Sequence, residues 1–144
     1  MNTVAFFVPG TPVQQGSMKA IPTPAGVRII HSRSTELLGW RNTVAWHAKD
    51  AMGEQEPGRG PVSLSLCFYH QRPKGHYRTG RHAAELKHDA PLWKDTAPDL
   101  DKQVRAVLDA LTGVVYVDDR QVCEIVAQKK FQTETGLSAT VRFV

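Results

Sequence analysis

The sequence lacks the features of a disulfide-rich, zinc-binding or membrane protein. Its two cysteines, Cys67 and Cys123, are isolated and show no C-x-x-C spacing, so they indicate neither a zinc-ligand pair nor a redox motif. No stretch approaches the ~18 apolar residues that a membrane-spanning helix needs. The start, MNTVAFFVPG, lacks a signal peptide's basic region and long apolar run. We expect a soluble, cytoplasmic protein whose cysteines are buried thiols, although they could also meet across a sheet.

The overall charge leaves several kinds of partner open. The 144 residues carry 18 Lys and Arg against 14 Asp and Glu, for a formal net charge of +4. This length predicts one domain, residues 1–144, with its own core. Because the acidic total includes the candidate metal ligands described below, the remaining surface is more basic than the sum suggests. A polyanionic partner is therefore allowed, but it is not required.

Apolar periodicity predicts an α/β domain with a mixed sheet and two main helices. Residues 62–69 alternate between apolar and small polar side chains, which is typical of a half-buried strand. Residues 34–52 carry apolar side chains at three- and four-residue steps, Trp40 among them, which predicts a helix, and we also expect Trp46 in the core. The second predicted helix spans 100–111 and buries Leu100, Val104, Val107, Leu108 and Leu111. The other predicted elements are strands at 3–8, 27–31, 114–117, 121–131 and 137–144, an extended loop at 11–26 and a hairpin turn at 134–136.

Two acidic pairs flank the second predicted helix. Asp99 and Asp101 stand at its start, and Asp118-Asp119 follow its end. Carboxylates placed in this way can converge on a hard divalent cation such as Mg²⁺, which prefers oxygen ligands. Each pair also has a structural explanation, because Asp99 is a good N-cap, Asp101 favours the helix dipole, and acidic dipeptides are common in turns.

The positions of Asp101 and Arg105 favour a functional interpretation. At ~100° per residue both fall at the border of the apolar stripe, beside Leu108, where a helix meets the floor of a cleft. Arg105, one turn after Asp101, can pair with that aspartate or face a phosphate. A calcium loop is excluded because its central glycine is missing. In a basic protein, such a site suggests phosphodiester cleavage.

At this point the residues resemble a known family. Residues 98–122, PDLDKQVRAVLDALTGVVYVDDRQV, strongly resemble the core of RusA-type Holliday junction resolvases, small endonucleases of bacteriophages and prophages. VPGTPVQQGS near the start is similar to the opening of many phage members. The matching positions are Asp99-Leu100-Asp101-Lys102, Arg105, Leu108-Asp109-Ala110-Leu111, and Asp118-Asp119 followed by Val122.

The resemblance implies roles for these residues. Asp99, Asp101 and Asp119 would be the metal-binding catalytic carboxylates, and Arg105 would support catalysis. Because an arginine cannot donate its proton at neutral pH, the role expected for Arg105 is charge stabilisation. Asp118 could support a ligand or simply form the turn.

The stretch 71–97 is basic and shows no sustained periodicity. We predict that it is a DNA-facing loop, and the alternative is a solvated or partly disordered loop. Trp93 is the aromatic residue that could stack on a base. The predicted phosphate contacts are Lys74, Arg78, Arg81, Lys94 and Lys102. The histidines in or beside this stretch match no zinc spacing, and we expect them to be loop residues: His70, His76, His82 and His88.

The expected function is that of a Mg²⁺-dependent endodeoxyribonuclease that nicks four-way DNA junctions at paired symmetric points, with Mn²⁺ able to replace Mg²⁺. An intertwined or sheet-mediated homodimer would present two copies of one site. Two alternatives stay open. The first is a nuclease that acts on flaps, forks or duplex DNA. The second is a non-catalytic DNA-binding accessory protein in which the aspartates only cap and turn.

Overall fold

The described part of the chain, residues 2–16, 18–31 and 34–144 of a computed structural model, contains six strands and two α-helices. Four strands form a mixed sheet in the order β1-β6-β4-β5, and β2 pairs with β3 in a separate hairpin. This arrangement confirms the predicted α/β domain with a mixed sheet and two helices. The bounds are β1 Thr3–Pro9, β2 Met18–Thr23, β3 Gly26–His31, α1 Ser34–Met52, β4 Val62–His70, α2 Leu100–Leu111, β5 Val122–Phe131 and β6 Gly136–Phe143.

The hydrophobic core lies between the four-stranded sheet and the two helices. Alternate residues of β4 are buried as predicted, namely Val62, Leu64, Leu66 and Phe68. Ser63, on the opposite parity, is buried as well, and its hydroxyl donates to Glu124 Oε1 at 2.6 Å. α1 packs against both β1 and α2. Within the described ranges, no helix is long and apolar enough to cross a membrane.

α2 connects two neighbouring parallel strands. β4 and β5 pair in parallel, and α2 lies between them in the chain with residues 71–97 inserted ahead of it. The crevice beyond the carboxyl ends of strands is the usual ligand site of such units. His70 ends β4 and lines one cavity together with Ala97 and Pro98, which precede α2. The connection therefore brings the start of α2 to this end of the sheet.

Two predicted connections differ from the strand pairing that the structure shows. The expected loop at 11–26 contains β2, which pairs with β3 over six residue pairs. The expected hairpin turn at 134–136 joins strands that do not pair, because β5 and β6 lie on opposite sides of β4. The segment between them therefore passes over the end of β4.

The predicted strand at 114–117 is instead a turn. Gly113 adopts a φ of 81°, in the left-handed region, and its N–H donates to the carbonyl of Tyr116 at 2.7 Å. Val115 and Tyr116 are fully buried. Their apolar character therefore reflects packing beneath the turn and not strand pairing.

Several side chains also differ from expectation. The face that α2 buries consists of Gln103, Ala106, Val107, Ala110 and Leu111, whereas Leu100, Val104 and Leu108 are only half-buried. Trp40 belongs to the core as predicted, but Trp46 is exposed. Both cysteines are free, and Cys123 is exposed, so its predicted burial is wrong.

Candidate active site

Asp99 occupies the N-cap position of α2 but does not cap the helix. Its side chain accepts no hydrogen bond from the first N–H groups of α2. The carboxylate lies 3.5 Å from Lys102 Nζ, and 58% of the Asp99 side chain is exposed. The backbone N–H of Asp99 donates to Gln14 Oε1 at 2.7 Å, which fixes the chain just before the helix. The capping role that would explain an aspartate here is thus not used, and the carboxylate is open to a ligand.

Asp101 and Arg105 are both exposed on α2. Arg105 Nε lies 3.7 Å from Asp109 Oδ1, so the alternative in which Arg105 pairs with Asp101 is wrong. Among the residues that the structure describes, the Asp101 carboxylate has no hydrogen-bond or ion-pair partner. The two neighbouring carboxylates at the start of α2 therefore keep most of their oxygen lone pairs for a ligand.

A buried polar pair ties the start of α2 to β4. Gln103 Nε2 lies 2.8 Å from His70 Nε2, and both residues are buried. Because an amide nitrogen can only donate, His70 accepts at Nε2 and carries its proton on Nδ1. Burial lowers the pKa of His70 to about 4, and the positive charges of Lys94 and Lys129 act in the same direction. His70 is therefore a neutral core residue at pH 7, and the prediction that it belongs to a loop is wrong.

Asp118 and Asp119 begin a short 3₁₀ turn that spans Asp119–Gln121. The Asp118 carboxylate accepts a hydrogen bond from the N–H of Arg120 at 2.9 Å and so caps the turn. Two roles were left open for Asp118, support of a metal ligand and formation of the turn. The structure shows that Asp118 forms the turn. Asp119 follows it and is half-buried.

Gln121 holds this turn in place and was not foreseen as a site residue. Its Oε1 accepts from the N–H groups of Val117 and Asp118, each at 2.9 Å. Its Nε2 donates to the carbonyls of Gly58 and Gly60 at 3.0 and 2.9 Å. The D-x-x-Q pattern at 118–121 is a capping-box signal that could have revealed it. Asp119 therefore sits on a turn whose backbone is fixed from both sides.

Tyr116 joins the turn to the second half of α2. Its buried hydroxyl donates to the carbonyl of Leu108 at 2.9 Å. Burial raises the pKa of Tyr116, and the negative charges of Asp119 and Asp109 raise it further. The hydroxyl therefore stays protonated at any physiological pH, and its hydrogen bond links the turn to α2.

The three predicted metal ligands do not form one cluster within the described chain. Asp99 and Asp101 lie at the start of α2, and Asp119 follows its end; in residues 2–16, 18–31 and 34–144, no group of three or more His, Cys, Asp or Glu is placed to hold a metal ion. The donors still fit Mg²⁺, because this ion commonly uses one or two carboxylates together with waters and substrate phosphates. The chain thus supplies two carboxylates, Asp99 and Asp101, at one end of α2, and a third, Asp119, on a turn beyond its other end.

Lys129 on β5 is a further site residue that the sequence did not reveal. Its Nζ donates to the carbonyl oxygens of Thr96 and Pro98 at 2.5 and 2.7 Å. Burial lowers the pKa of Lys129, as does the charge of Lys94, while Asp99 opposes the shift. A lysine within a strand carries no local signal for such a role. Lys129 holds the backbone immediately before Asp99.

The basic stretch 71–97 has a hydrogen-bonded structure of its own. The N–H of Arg78 donates to the carbonyl of Glu85 at 2.8 Å, and the N–H of Lys87 donates to that of His76 at 2.9 Å. Lys94 attaches the end of the stretch to β5 through the carbonyl of Lys129 at 3.1 Å. The partly disordered alternative is therefore not what the structure shows.

The predicted DNA contacts in this stretch differ in their surroundings. Lys74 and Arg81 are exposed on short 3₁₀ turns, whereas Arg78 Nη1 lies 2.7 Å from Glu85 Oε2. Lys94 Nζ donates to the Thr96 hydroxyl at 2.9 Å. Trp93 is 54% exposed. Lys74 and Arg81 are thus the cations here that are most available to an external anion.

Comparison with known proteins identifies the family. The chain is similar to an uncharacterized protein, YqaN, of Bacillus subtilis (strain 168), with 28% identity over 144 residues that cover all of this chain and 99% of the relative. Residues 9–142 match the family model described as "Endodeoxyribonuclease RusA". That match includes both acidic pairs, α2 and the basic stretch. The chain therefore belongs to the RusA endodeoxyribonuclease family, as the motif at 98–122 predicted.

Proposed function

We propose that this protein is a Mg²⁺-dependent endodeoxyribonuclease that resolves four-way DNA junctions. The observation that carries the proposal is the open acidic pair at the start of α2, where Asp99 stands at an N-cap without capping and Asp101 is exposed. Both aspartates lie within the matched residues 9–142, and both belong to the D-x-D pattern on which the sequence resemblance rests. Membership of the RusA family supports internal cleavage of DNA, and it suggests a Holliday junction as the substrate.

Asp99 and Asp101 would bind the cation, whereas Asp119 lies beyond the other end of α2 and does not join this pair within the described chain. Mg²⁺, when bound, would lower the pKa of a coordinated water and offset charge on the scissile phosphate. We expect Mn²⁺ to replace it, because the two ions accept the same oxygen ligands.

Arg105 would supply a permanent positive charge to the phosphate. Its ion pair with Asp109 is long, at 3.7 Å, and 61% of the Arg105 side chain is exposed. A pair of this kind contributes little, so a phosphate can compete for the guanidinium. Arg105 would then stabilise negative charge in the transition state, without transferring a proton.

Three of the predicted cations would hold the DNA backbone. Lys74 and Arg81 extend from the basic stretch, and Lys102 lies beside Asp99. Contacts to phosphates give affinity without sequence choice, and the affinity falls steeply with salt. Arg78 would contribute less, because Glu85 already neutralises it.

Paired symmetric nicking requires two sites, and a C₂ homodimer would supply them. β5 is an edge strand that pairs with β4, and the described loop residues join it only near its end, at 129–131. Ile125 and Val126, in its central part, are 41% and 53% exposed. An open edge with apolar side chains is a site for pairing with another chain, so we propose a dimer that joins two sheets through β5.

The decisive experiment compares a synthetic four-way junction with a linear duplex of the same sequence. Wild type and Asp101→Asn are assayed with Mg²⁺, with Mn²⁺ and with chelator. We expect paired nicks in the junction alone, dependent on the metal and lost in the variant, although the variant still binds DNA. Equal cutting of both DNAs would reject junction selectivity. Salt-dependent binding without cleavage under any metal would reject the nuclease.

A further inference from the structure

A cavity of about 570 Å³ lies beside the start of α2. The loop after β1, the first turns of α1, the end of β4 and the residues before α2 all contribute to its wall. Six of the lining residues matter here, namely Gln14, Gly39, Trp40, Thr43, His70 and Pro98. None of them belongs to the carboxylate site described above.

This cavity adjoins Asp99, one of the proposed metal ligands. Pro98 lines it and directly precedes Asp99. Gln14 also lines it, and its side-chain oxygen accepts the N–H of Asp99 at 2.7 Å. A group bound in the cavity would therefore lie within one residue of a carboxylate that faces the scissile phosphate.

One buried polar atom without a partner belongs to the wall of this cavity. In the described chain, the buried side-chain atoms that lack a hydrogen-bond partner are Gln15 Oε1, Trp40 Nε1 and Gln103 Oε1. Of these three residues, Trp40 lines the cavity, whereas Gln15 and Gln103 do not. Because buried polar groups are nearly always hydrogen-bonded, the Trp40 N–H indicates a missing ligand that offers an acceptor.

We propose that the cavity receives one unpaired nucleobase of the DNA substrate, from a nucleotide next to the scissile phosphate. A base is a flat ring with a donor and acceptor edge, which suits a wall that combines the Trp40 indole with amide and hydroxyl groups. Unstacking a base is least costly at a branch point, where pairing is already disturbed. The inference rests on the proposed function, because only DNA whose phosphate reaches Asp99 would place a base here.

Gly39 offers a way to fill the cavity without disturbing the fold. It is helical, and a Cβ at this position meets nothing within 4 Å. Gly39→Phe therefore places a ring at the cavity wall. Leu38→Phe is the matched control, because Leu38 is the next residue on α1, is 57% exposed and does not line the cavity. Thr43→Phe, one turn further along the same wall, is an independent second variant that fills the cavity.

The test measures binding of four-way junctions that carry an abasic site at successive nucleotides around the cut. All proteins carry Asp101→Asn, so the readout does not depend on cleavage. We expect removal of one particular base to weaken binding about tenfold. With Gly39→Phe and Thr43→Phe, the intact junction should bind about tenfold more weakly and the abasic site should have no further effect. Leu38→Phe should retain the sensitivity to the abasic site.

Two results would overturn the inference. The first is that no abasic site changes binding by the parent protein. The second is that the same abasic site weakens binding equally in the parent and in both variants with a filled cavity. Either result would mean that no base enters the cavity. Failure of wild type to cleave any DNA would refute the nuclease separately, and the binding scan would still decide whether a base enters the cavity.

Discussion

The two acidic pairs that flank α2 look alike in the sequence, but the fold holds them differently. At 99 and 101 the carboxylates lie at a helix start that neither of them caps, with only a 3.5 Å contact between Asp99 and Lys102. At 118 and 119 the first aspartate caps its turn, and Gln121 fixes the backbone on both sides. The two pairs therefore differ in how many carboxylate oxygens are left without a hydrogen bond, and we expect this number, and not the spacing of the aspartates, to distinguish a ligand site.

The strongest test of this comparison is to neutralise one carboxylate from each pair. Asp101→Asn should reduce single-turnover cleavage of a junction about a thousandfold, because the metal loses a charged ligand. Asp118→Asn should stay within about threefold of wild type, because asparagine caps as well as aspartate does. Both rates are measured at saturating Mg²⁺. An equal loss in both variants would show that Asp118 is also a ligand, and the distinction between the pairs would fail.

The buried His70–Gln103 pair makes the start of α2 sensitive to acid. The folded-state pKa of His70, about 4, lies below its ordinary value of 6.5, so the unfolded chain binds the proton more readily. The stabilisation by neutral His70 is complete above pH 6.5 and is lost as pH falls towards 4, by about 3 kcal/mol in total. Urea unfolding at several pH values measures this loss in the free energy of unfolding. His70→Gln should flatten this part of the profile, and an unchanged profile would contradict the assignment.

The turn at 118–121 should depend on Gln121 more than on its own aspartates. Gln121→Ala removes hydrogen bonds to four backbone groups. We expect a loss of about 2–3 kcal/mol in the free energy of unfolding, against about 1 kcal/mol for Asp118→Ala. Chemical denaturation compares the two variants directly. If Gln121→Ala is as stable as wild type, the turn is held by other contacts.

Lys129 should affect cleavage through the backbone that carries Asp99. Lys129→Met removes the donor to the carbonyls of Thr96 and Pro98, and we expect cleavage to slow about tenfold because Asp99 is less well placed. Lys130→Met is the control, since Lys130 Nζ lies over the Trp93 ring at 4.8 Å and contacts neither carbonyl. Cleavage at saturating DNA separates this effect from weaker binding. Similar rates for both variants would mean that Lys129 contributes only general charge.

Local patterns predicted the elements that depend on local contacts. The bounds of α2, 100–111, follow from its periodicity and closing glycine, and the structure confirms them. The separation of β5 from β6 by β4 depends on distant partners and has no local signal. The partner of β2 follows it directly in the chain, but the prolines and glycines of residues 11–26 are typical of a loop and concealed the strand. The burial of Gln103 also escaped prediction, because its reason is His70 across the core.

Local sequence patterns likewise predicted only part of the candidate site. The D-x-D motif located Asp99 and Asp101, but it could not show that Asp99 leaves the helix uncapped. Lys129 is distant in sequence from the residues it holds, so no spacing rule connects them. Gln121 could have been predicted but was missed, because its capping-box pattern was present in the sequence.

The uncapped start of α2 also bears on how this chain can evolve. A serine at position 99 that capped the helix could add about 1 kcal/mol of stability. Mutational drift selected for stability alone would therefore favour replacing Asp99 with such a residue, and the replacement would remove a carboxylate. An aspartate that occupies an N-cap position without capping is what a trade-off between chemistry and stability would produce.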